Sequence, residues 1–159
     1  MPKHKKTKNN PSGSQLHAQR ISELMMEKKA VDIIIIDVSK ITTLTDFFVI
    51  CTSGSAPQTR AITDHINLTM KKEGTQSWHI EGYEHLDWVL IDYVNIVAHI
   101  FSKETREYYE FERLWADGLI TTVLPIANAG AIFVAVKSIC EFQGIIAAIT
   151  PIGILVVIT

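Results

Sequence analysis

The sequence predicts an α/β fold in which a small mixed β-sheet is flanked by helices. Between residues 14 and 118 the spacing of apolar side chains alternates between the helical period and the strand period of two. Residues 33–36 are consecutive isoleucines, a run typical of a strand buried on both faces. Residues 88–101 contain two strand-like runs around a short turn, which predicts a hairpin. A chain of 159 residues is long enough for one main domain built on these elements.

Composition narrows the class of protein. Hydrophobic residues make up 47% and charged residues 20%, which excludes a wholly disordered or disulfide-stapled chain. A net charge of -2 excludes a polycation that coats nucleic acid, so no DNA partner is expected and any RNA contact must be local. Cys51 and Cys140 lie far apart and no N-terminal hydrophobic segment is present. We therefore expect reduced thiols and a cytoplasmic protein.

Three parts of the chain differ in composition. Residues 1–13 carry lysines with Asn, Pro and Ser but no apolar periodicity, which predicts a disordered basic arm. That arm is either a solvated tail or a weak contact for a phosphate backbone. Residues 14–118 hold the predicted α/β domain. Residues 119–159 form a hydrophobic extension of unknown role.

The first helix and the first two strands follow from local patterns. Ser14 is a plausible N-cap for a helix with apolar residues on one side. Those residues are Leu16, Ile21, Leu24 and Met25. Strands are predicted over residues 32–38 and 46–52, because both segments are rich in β-branched or aromatic residues.

A turn and a second helix come next. Residues 53–57 contain Ser, Gly and Pro and predict a turn. Ile62, Ile66 and Met70 then recur at helical spacing, and Gly74 offers a C-terminal stop. A short strand is expected over residues 78–80.

The hairpin can be predicted in register. With Val94 and Asn95 as the turn, residue 93 pairs with 96, 90 with 99 and 88 with 101. Alternation then assigns an almost purely aliphatic set to the core, namely Val89, Ile91, Tyr93, Ile96, Ala98 and Ile100. The opposite face carries Trp88, Leu90, Asp92, Val97, His99 and Phe101. Such a face is either covered by a helix or offered to a partner.

A third helix is predicted after the hairpin. Ser102 is a plausible N-cap, and Gly118 is expected to end the helix. Apolar residues recur at three- and four-residue spacing within it, at Tyr108, Phe111, Leu114 and Trp115.

The hydrophobic extension has few charged residues. Residues 119–136 and 142–159 have no charged side chain, and each stretch reaches the lower limit for a membrane-spanning helix. Proline and glycine interrupt both stretches, and no aromatic belt flanks them. Three alternatives stay open: a helical hairpin in a membrane, a tail packed on the domain or a partner, and an abnormal extension of the reading frame.

Candidate chemical sites are weak. Cys51 with His99 or His65 as base could be a nucleophile, but a cysteine closing an apolar strand is more often a small buried hydrophobe. The turn at Ser53, Gly54 and Ser55 could hold a phosphate, which would make the chain a nucleotidyl- or phosphoryl-transferase. It has neither a Walker nor a dinucleotide-binding spacing, so a structural turn is favoured.

Catalytic carboxylates and metal ligands are not apparent either. The aspartates form no Asp-x-Asp pair, and the histidines form no zinc-type spacing. We therefore expect neither catalysis nor a metal or cofactor, and the apolar face of the hairpin argues for a binding protein.

Several motifs are shared, in order, with one known family. They are DIIIIDV (32–38), TDFFVICT (45–52), AITDH (61–65), EG (81–82), DWVLIDY (87–93), HIF (99–101) and REYYEFERLW (106–115). Over residues 16–117 the chain resembles the ribosome silencing factors, the Iojap/RsfS family. The resemblance implies a nucleotidyltransferase-like core without catalytic carboxylates, and no enzymatic activity. It implies binding to large-subunit ribosomal protein fourteen, steric blocking of subunit joining, and repression of translation when nutrients are scarce. It also implies that the chain can form a homodimer.

The resemblance further implies a partner-binding surface. Carried over by position, its residues are Trp88, Asp92, Tyr93, His99, Phe101, Arg106, Tyr109 and Trp115. Alternation instead places Tyr93 in the core, and the two predictions for this residue disagree. We expect truncation of His99 and Phe101 to alanine to weaken binding without unfolding the domain.

Two departures from the family pattern stand out. The family has Gly-Asp where this chain has Val94 and Asn95, so a positive φ has to be adopted without glycine. The family also ends soon after the position of Trp115, so the extension inherits no function from the resemblance.

Overall fold

The computed structural model describes residues 13–126 and 130–136. They form one seven-stranded sheet with the strand order β3-β4-β5-β2-β1-β6-β7. The elements are α1 (Gly13–Glu27), β1 (Val31–Asp37), β2 (Phe47–Ser53), α2 (Ala56–Lys72), β3 (His79–Glu81), β4 (Trp88–Asp92), β5 (Ile96–Ser102), α3 (Lys103–Tyr109), α4 (Phe111–Leu114), β6 (Leu119–Ile126) and β7 (Gly130–Val136). Strands β2 and β5 run parallel, and the other neighbouring pairs run antiparallel. The predicted mixed sheet flanked by helices is confirmed.

The strand of four isoleucines is buried on both faces, as predicted. Ile33 and Ile35 pack with the residues of α1 and α2 on one face of the sheet. Ile34 and Ile36 belong to a second cluster on the other face. Because successive side chains of a strand point to opposite faces, one run of isoleucine supplies both cores.

The hairpin has the predicted register. Trp88 lies opposite Phe101, Leu90 opposite His99 and Asp92 opposite Val97. Tyr93 donates its backbone N–H to the carbonyl oxygen of Ile96 at 2.8 Å, which closes the turn. All six residues assigned to the core face are buried.

Helix α2 is present as predicted, but the turn that precedes it is shorter than the predicted turn over residues 53–57. Ser53 is the last residue of β2, and Ser55 is the N-cap, its Oγ accepting from the backbone N–H of Gln58 at 3.4 Å. Gly74 adopts a φ of +90° directly after the helix, which agrees with the predicted stop.

Two expectations for the first helix are wrong. Ser14 lies inside α1, which already includes Gly13, and its hydroxyl donates to Oδ2 of Asp46 at 3.0 Å. Leu16 is largely exposed, whereas Ile21, Leu24 and Met25 are buried against the sheet. The side chain of Leu16 therefore lies outside the apolar stripe that the other three form.

The predicted third helix is broken. Ser102 caps α3 as expected, its Oγ accepting from the backbone N–H of Thr105 at 3.2 Å. Glu110 then adopts left-handed φ and ψ of 43° and 45°, which ends α3 and starts α4 in a new direction. Phe111 is partly buried by this turn, while Tyr108 and Leu114 are exposed. The four apolar residues therefore do not share one helix face.

Gly118 does not end a helix, because α4 already ends at Leu114. A Cβ at Gly118 would lie 2.7 Å from Cγ2 of Ile36 and 2.9 Å from the carbonyl oxygen of Asp37. Glycine therefore permits the close approach by which the chain enters β6 beside β1.

The predicted hydrophobic extension begins with Leu119, the first residue of β6, and its described residues belong to the same sheet as the rest of the domain. Strand β6 pairs with β1 from Leu119 opposite Asp37 to Thr122 opposite Ile34, and Ile120 and Val123 are buried. The first uncharged stretch is strand rather than membrane helix where it is described, and no helix of the described residues is long and apolar enough to cross a bilayer. The second stretch, 142–159, and the basic arm before Gly13 lie outside the described residues.

Candidate functional site

Aromatic side chains gather on the sheet face opposite α1 and α2. We call this set the aromatic cluster, and its members are Phe48, Trp88, His99, Phe101, Tyr109, Phe111 and Trp115. The hairpin register and the parallel β2–β5 pairing bring the members from β2, β4 and β5 to one face. The other members come from α3, from α4 and from the C-cap of α4. The ring centroids of His99 and Phe111 lie 4.6 Å apart, and those of Trp88 and Phe101 lie 4.8 Å apart. Distances of this size are typical of packed aromatic pairs.

Histidine 99 lies at the centre of this cluster. Its side chain is buried, and Nε1 of Trp88 donates a hydrogen bond to its Nδ1 at 3.1 Å. The other ring nitrogen, Nε2, has no hydrogen-bond partner among the described residues. Burial among aromatic rings lowers the pKa of His99 from 6.5 to about 3, because the charged form loses its hydration. The imidazole is therefore neutral at physiological pH.

Helices α3 and α4 cover this face only in part. Phe111 and Trp115 pack against Phe48, with ring centroids 5.5 and 4.9 Å away. Tyr109 packs on Trp88 at 5.2 Å between centroids and remains 48% exposed. The result is a partly accessible aromatic surface over a buried, closely packed base.

Arg106 holds the two short helices to the sheet. Its Nε donates to Oε1 of Glu112 at 2.6 Å, which joins α3 to α4. Its Nη1 donates to the carbonyl oxygen of Asp32 and to Oγ1 of Thr52, both at 2.7 Å. Asp32 presents that carbonyl at an irregularity in β1, where its φ is +50°. The guanidinium N–H groups of Arg106 therefore largely donate hydrogen bonds to groups within the protein.

The loop that contains Gly82 makes a close backbone contact with the start of β4. Gly82 has a φ of +75°, and a Cβ there would lie 2.0 Å from the carbonyl oxygen of Trp88. Only glycine allows the preceding loop to approach the strand this closely. The glycine of the Glu81-Gly82 motif is therefore explained by this backbone contact.

The structure separates the eight sequence-predicted residues into groups. Tyr93 is buried on the opposite face, so alternation placed it correctly and the surface assigned from the resemblance did not. Burial also raises the pKa of the Tyr93 hydroxyl, which has no hydrogen-bond partner among the described residues. His99 and Phe101 are buried in the aromatic cluster, so their truncation to alanine is expected to destabilise the fold, contrary to the expectation from the sequence.

Arg106 is bonded within the protein, as described above, and the remaining four predicted residues reach solvent together. Trp88, Asp92 and Trp115 are partly buried and Tyr109 is exposed, and all four belong to the same side of the sheet as the aromatic cluster. Asp92 accepts a hydrogen bond from the backbone N–H of Val94 at 2.6 Å, so it also stabilises the hairpin turn.

Two members of the aromatic cluster were missed by the sequence prediction of the site. Phe48 is opposite Val97 in the β2–β5 pair and packs against His99, with ring centroids 5.3 Å apart. Alternation within β2 could have assigned Phe48 to the same sheet face as His99, but only after the pairing of β2 with β5 was known. Phe111 was predicted as part of a helix and not as a neighbour of His99.

The candidate chemical sites have internal roles. Oγ of Ser53 donates to the carbonyl oxygen of Phe101 at 3.2 Å, and the N–H of Gly54 donates to Oε1 of Gln58 at 2.8 Å. These contacts favour the structural turn over a phosphate site. Cys51 is fully buried, and burial raises the pKa of its thiol to about 12, so it is a small core residue as predicted. In the described parts of the chain, no three His, Cys, Asp or Glu side chains are placed to hold a metal ion.

Comparisons with known proteins agree on one family. The family described as "Ribosomal silencing factor during starvation" (RsfS) matches residues 11–133. A ribosomal silencing factor from Halalkalibacterium halodurans is 37% identical over 91 residues, which is 57% of this chain and 78% of that protein. A mouse protein named "Mitochondrial assembly of ribosomal large subunit protein 1" is 31% identical over 106 residues, covering 65% of this chain and 46% of the mouse protein.

A solved structure matches the fold as well. An X-ray structure of a protein from Chromobacterium violaceum superimposes with a TM-score of 0.61 and 31% identity, covering 63% of this chain and 84% of the other. The family match spans most of the chain and includes every element from α1 to β6. On these grounds the chain belongs to the RsfS family of ribosomal silencing factors.

Proposed function

We propose that this protein binds the large ribosomal subunit at ribosomal protein fourteen and sterically blocks joining of the small subunit. Membership of the RsfS family supports ribosome silencing and repression of translation. The name of the mouse relative refers to the large ribosomal subunit, which supports this subunit as the partner. The proposal places the protein in the same compartment as free ribosomal subunits, the cytoplasm.

The partner-binding surface of this proposal is the accessible part of the predicted set. We call it the contact surface, and it consists of Trp88, Asp92, Tyr109 and Trp115. The observation that carries the proposal is that Trp88, Tyr109 and Trp115 are accessible rings on a closely packed base. Aromatic residues of this kind supply most of the free energy in many protein interfaces, because rigid rings lose little conformational entropy on binding.

Steric blocking requires no reactive group on the protein. A bound domain only has to occupy the face on which the second subunit would dock. The buried thiol of Cys51 and the internally bonded Ser53 turn are consistent with a mechanism of this kind.

The experiment is gradient co-sedimentation of the full chain with purified large subunits, followed by addition of small subunits. Tyr109→Ala removes an accessible ring of the contact surface. Leu68→Ala is the matched control, because Leu68 is a 57% exposed apolar residue of α2, on the other side of the sheet. We expect Tyr109→Ala to weaken binding by about 2 kcal/mol, roughly 30-fold, and Leu68→Ala to leave it unchanged.

Several outcomes would contradict the proposal. Absence of co-sedimentation of the unchanged chain would refute large-subunit binding. Binding without inhibition of joining would refute the steric mechanism. Equal losses in Tyr109→Ala and Leu68→Ala would refute the contact surface. The homodimer that the resemblance implies is tested separately, by the mass of the free protein measured by sedimentation equilibrium.

A further inference from the structure

We infer that His99 acts in large-subunit binding as a positioning residue. Its Nδ1 fixes the indole of Trp88 in the orientation that the contact surface presents, and His99 itself does not touch the partner. This inference rests on the proposed function. It differs from the assignment of His99 as a contact residue, which the resemblance implied.

The hydrogen bond defines which nitrogen carries the proton. The indole N–H of Trp88 can only donate, so the Nδ1 that receives it at 3.1 Å must present its lone pair. In the neutral imidazole the proton is then on Nε2. The imidazole stays neutral because it is buried, so this acceptor is retained throughout the physiological pH range.

The surrounding rings fix the imidazole in place. Phe111 lies 4.6 Å, Phe48 5.3 Å and Phe101 5.9 Å from it between ring centroids. The planes of His99 and Phe101 are inclined by only 15°. Since closely packed rings of this kind have little room to rotate, the acceptor at Nδ1 has a defined direction.

Packing alone does not explain a histidine at this position. Nε2 carries an N–H that is buried without a partner among the described residues, and such a group destabilises a fold. Phenylalanine would fill a similar volume without this cost. What histidine supplies, and phenylalanine does not, is the acceptor for Trp88.

Trp88 links this buried acceptor to the surface. It is partly buried, stacks on Phe101 at 4.8 Å and packs against Tyr109 at 5.2 Å between centroids. Without an acceptor below it, the indole N–H would have to turn towards water to be satisfied. The ring would then present a different edge to the partner.

The test compares two substitutions in the full chain. His99→Phe removes the acceptor and keeps an aromatic ring, whereas His99→Asn keeps an acceptor, because the amide Oδ1 can occupy the place of Nδ1. Trp88 is monitored in the free protein by the ¹H–¹⁵N resonance of its indole, which is identified by its loss in Trp88→Phe. Affinity for purified large subunits and the unfolding temperature are measured on the same samples.

We expect His99→Phe to fold and to shift the Trp88 indole resonance. It should weaken binding about five- to tenfold, because an indole no longer held by one hydrogen bond populates the binding orientation less. His99→Asn should retain that resonance and most of the affinity. Unchanged affinity of folded His99→Phe would overturn the inference. Equal loss of affinity in both variants, with the indole resonance retained in His99→Asn, would show direct contact of His99 with the partner and would also overturn it.

A double-substitution comparison keeps the inference testable if His99→Phe does not fold. In a Trp88→Phe background there is no indole N–H to position, so His99→Asn should leave the affinity unchanged. A further loss of affinity there would refute the positioning role. If the unchanged chain does not bind large subunits at all, the proposed function fails, whereas the indole resonances still report whether His99 orients Trp88 in the free protein.

Discussion

Acidification should destabilise this protein through His99. The pKa of this histidine is about 3 in the folded protein and 6.5 when unperturbed. Between these values the unfolded chain binds a proton that the folded protein does not, so the free energy of unfolding falls as the pH falls. The part of the free energy of unfolding that depends on a neutral His99 is fully present above pH 6.5. It is progressively lost as the pH falls from 6.5 to 3. At about pH 5, 1.5 pH units below 6.5, the expected loss is about 2 kcal/mol, since each pH unit corresponds to about 1.4 kcal/mol.

Denaturant unfolding at about pH 7.5 and about pH 5 tests this expectation. His99→Phe is the reference chain, because it keeps every other titratable group and its difference from the unchanged protein isolates His99. The rings that contact His99, from Phe48, Trp88, Phe101 and Phe111, carry no charge that could offset the effect of burial. The stability of the unchanged chain relative to His99→Phe should fall by about 2 kcal/mol on going to the lower pH. If both chains lose the same free energy of unfolding, His99 protonates normally in the folded protein, contrary to the effect expected from its burial.

Three further predictions concern single residues. Arg106→Ala should lower the free energy of unfolding by about 3 kcal/mol in a denaturant titration, because it leaves the little-exposed carboxylate of Glu112 unpaired, whereas removal of the exposed Arg113 should have no measurable effect. Equal effects of these two substitutions on the free energy of unfolding would contradict the role of Arg106 in holding α3 and α4 to the sheet. Val94→Gly should raise the unfolding free energy by up to about 1 kcal/mol in thermal scans, because Val94 holds a φ of +71° that glycine adopts without strain, and a lower melting temperature would contradict this. Cys51 should resist alkylation in the native protein and react on unfolding, as followed by peptide mass mapping, and rapid native labelling would show that its thiol is accessible.

Local patterns were sufficient to predict the hairpin. Alternation of apolar residues and a two-residue turn fix the register, so the pairing of Trp88 with Phe101 could be predicted without tertiary information. The same alternation placed Tyr93 in the core, against the surface assignment taken from the resemblance.

The covering of the aromatic cluster could not be predicted in the same way. Whether His99 and Phe101 are exposed depends on where α3 and α4 lie, and that depends on the left-handed conformation of Glu110. Glutamate is not a residue that favours this conformation, so no local signal marks the break. The packing of Phe111 against the sheet accompanies the break and depends on contacts distant in sequence.

Strand β6 was missed for a related reason. An uncharged apolar segment is compatible with a membrane helix or with a buried strand, and composition does not distinguish them. The pairing of Ile120 with Ile36 depends on the free edge of β1, which is known only once the strand order is known.

The interior position of β1 in the sheet has a consequence for the synthesis of the protein. Ile34 pairs with Ile50 on one side, 16 residues later, and with Thr122 on the other side, 88 residues later. During synthesis one edge of β1 therefore stays unpaired until the residues of β6 have been translated. A run of β-branched residues without charge and with an open edge is the kind of segment that associates with other chains. Slow translation between residues 53 and 122 should thus increase aggregation of nascent chains, and a holding chaperone that covers residues 33–36 should counteract it.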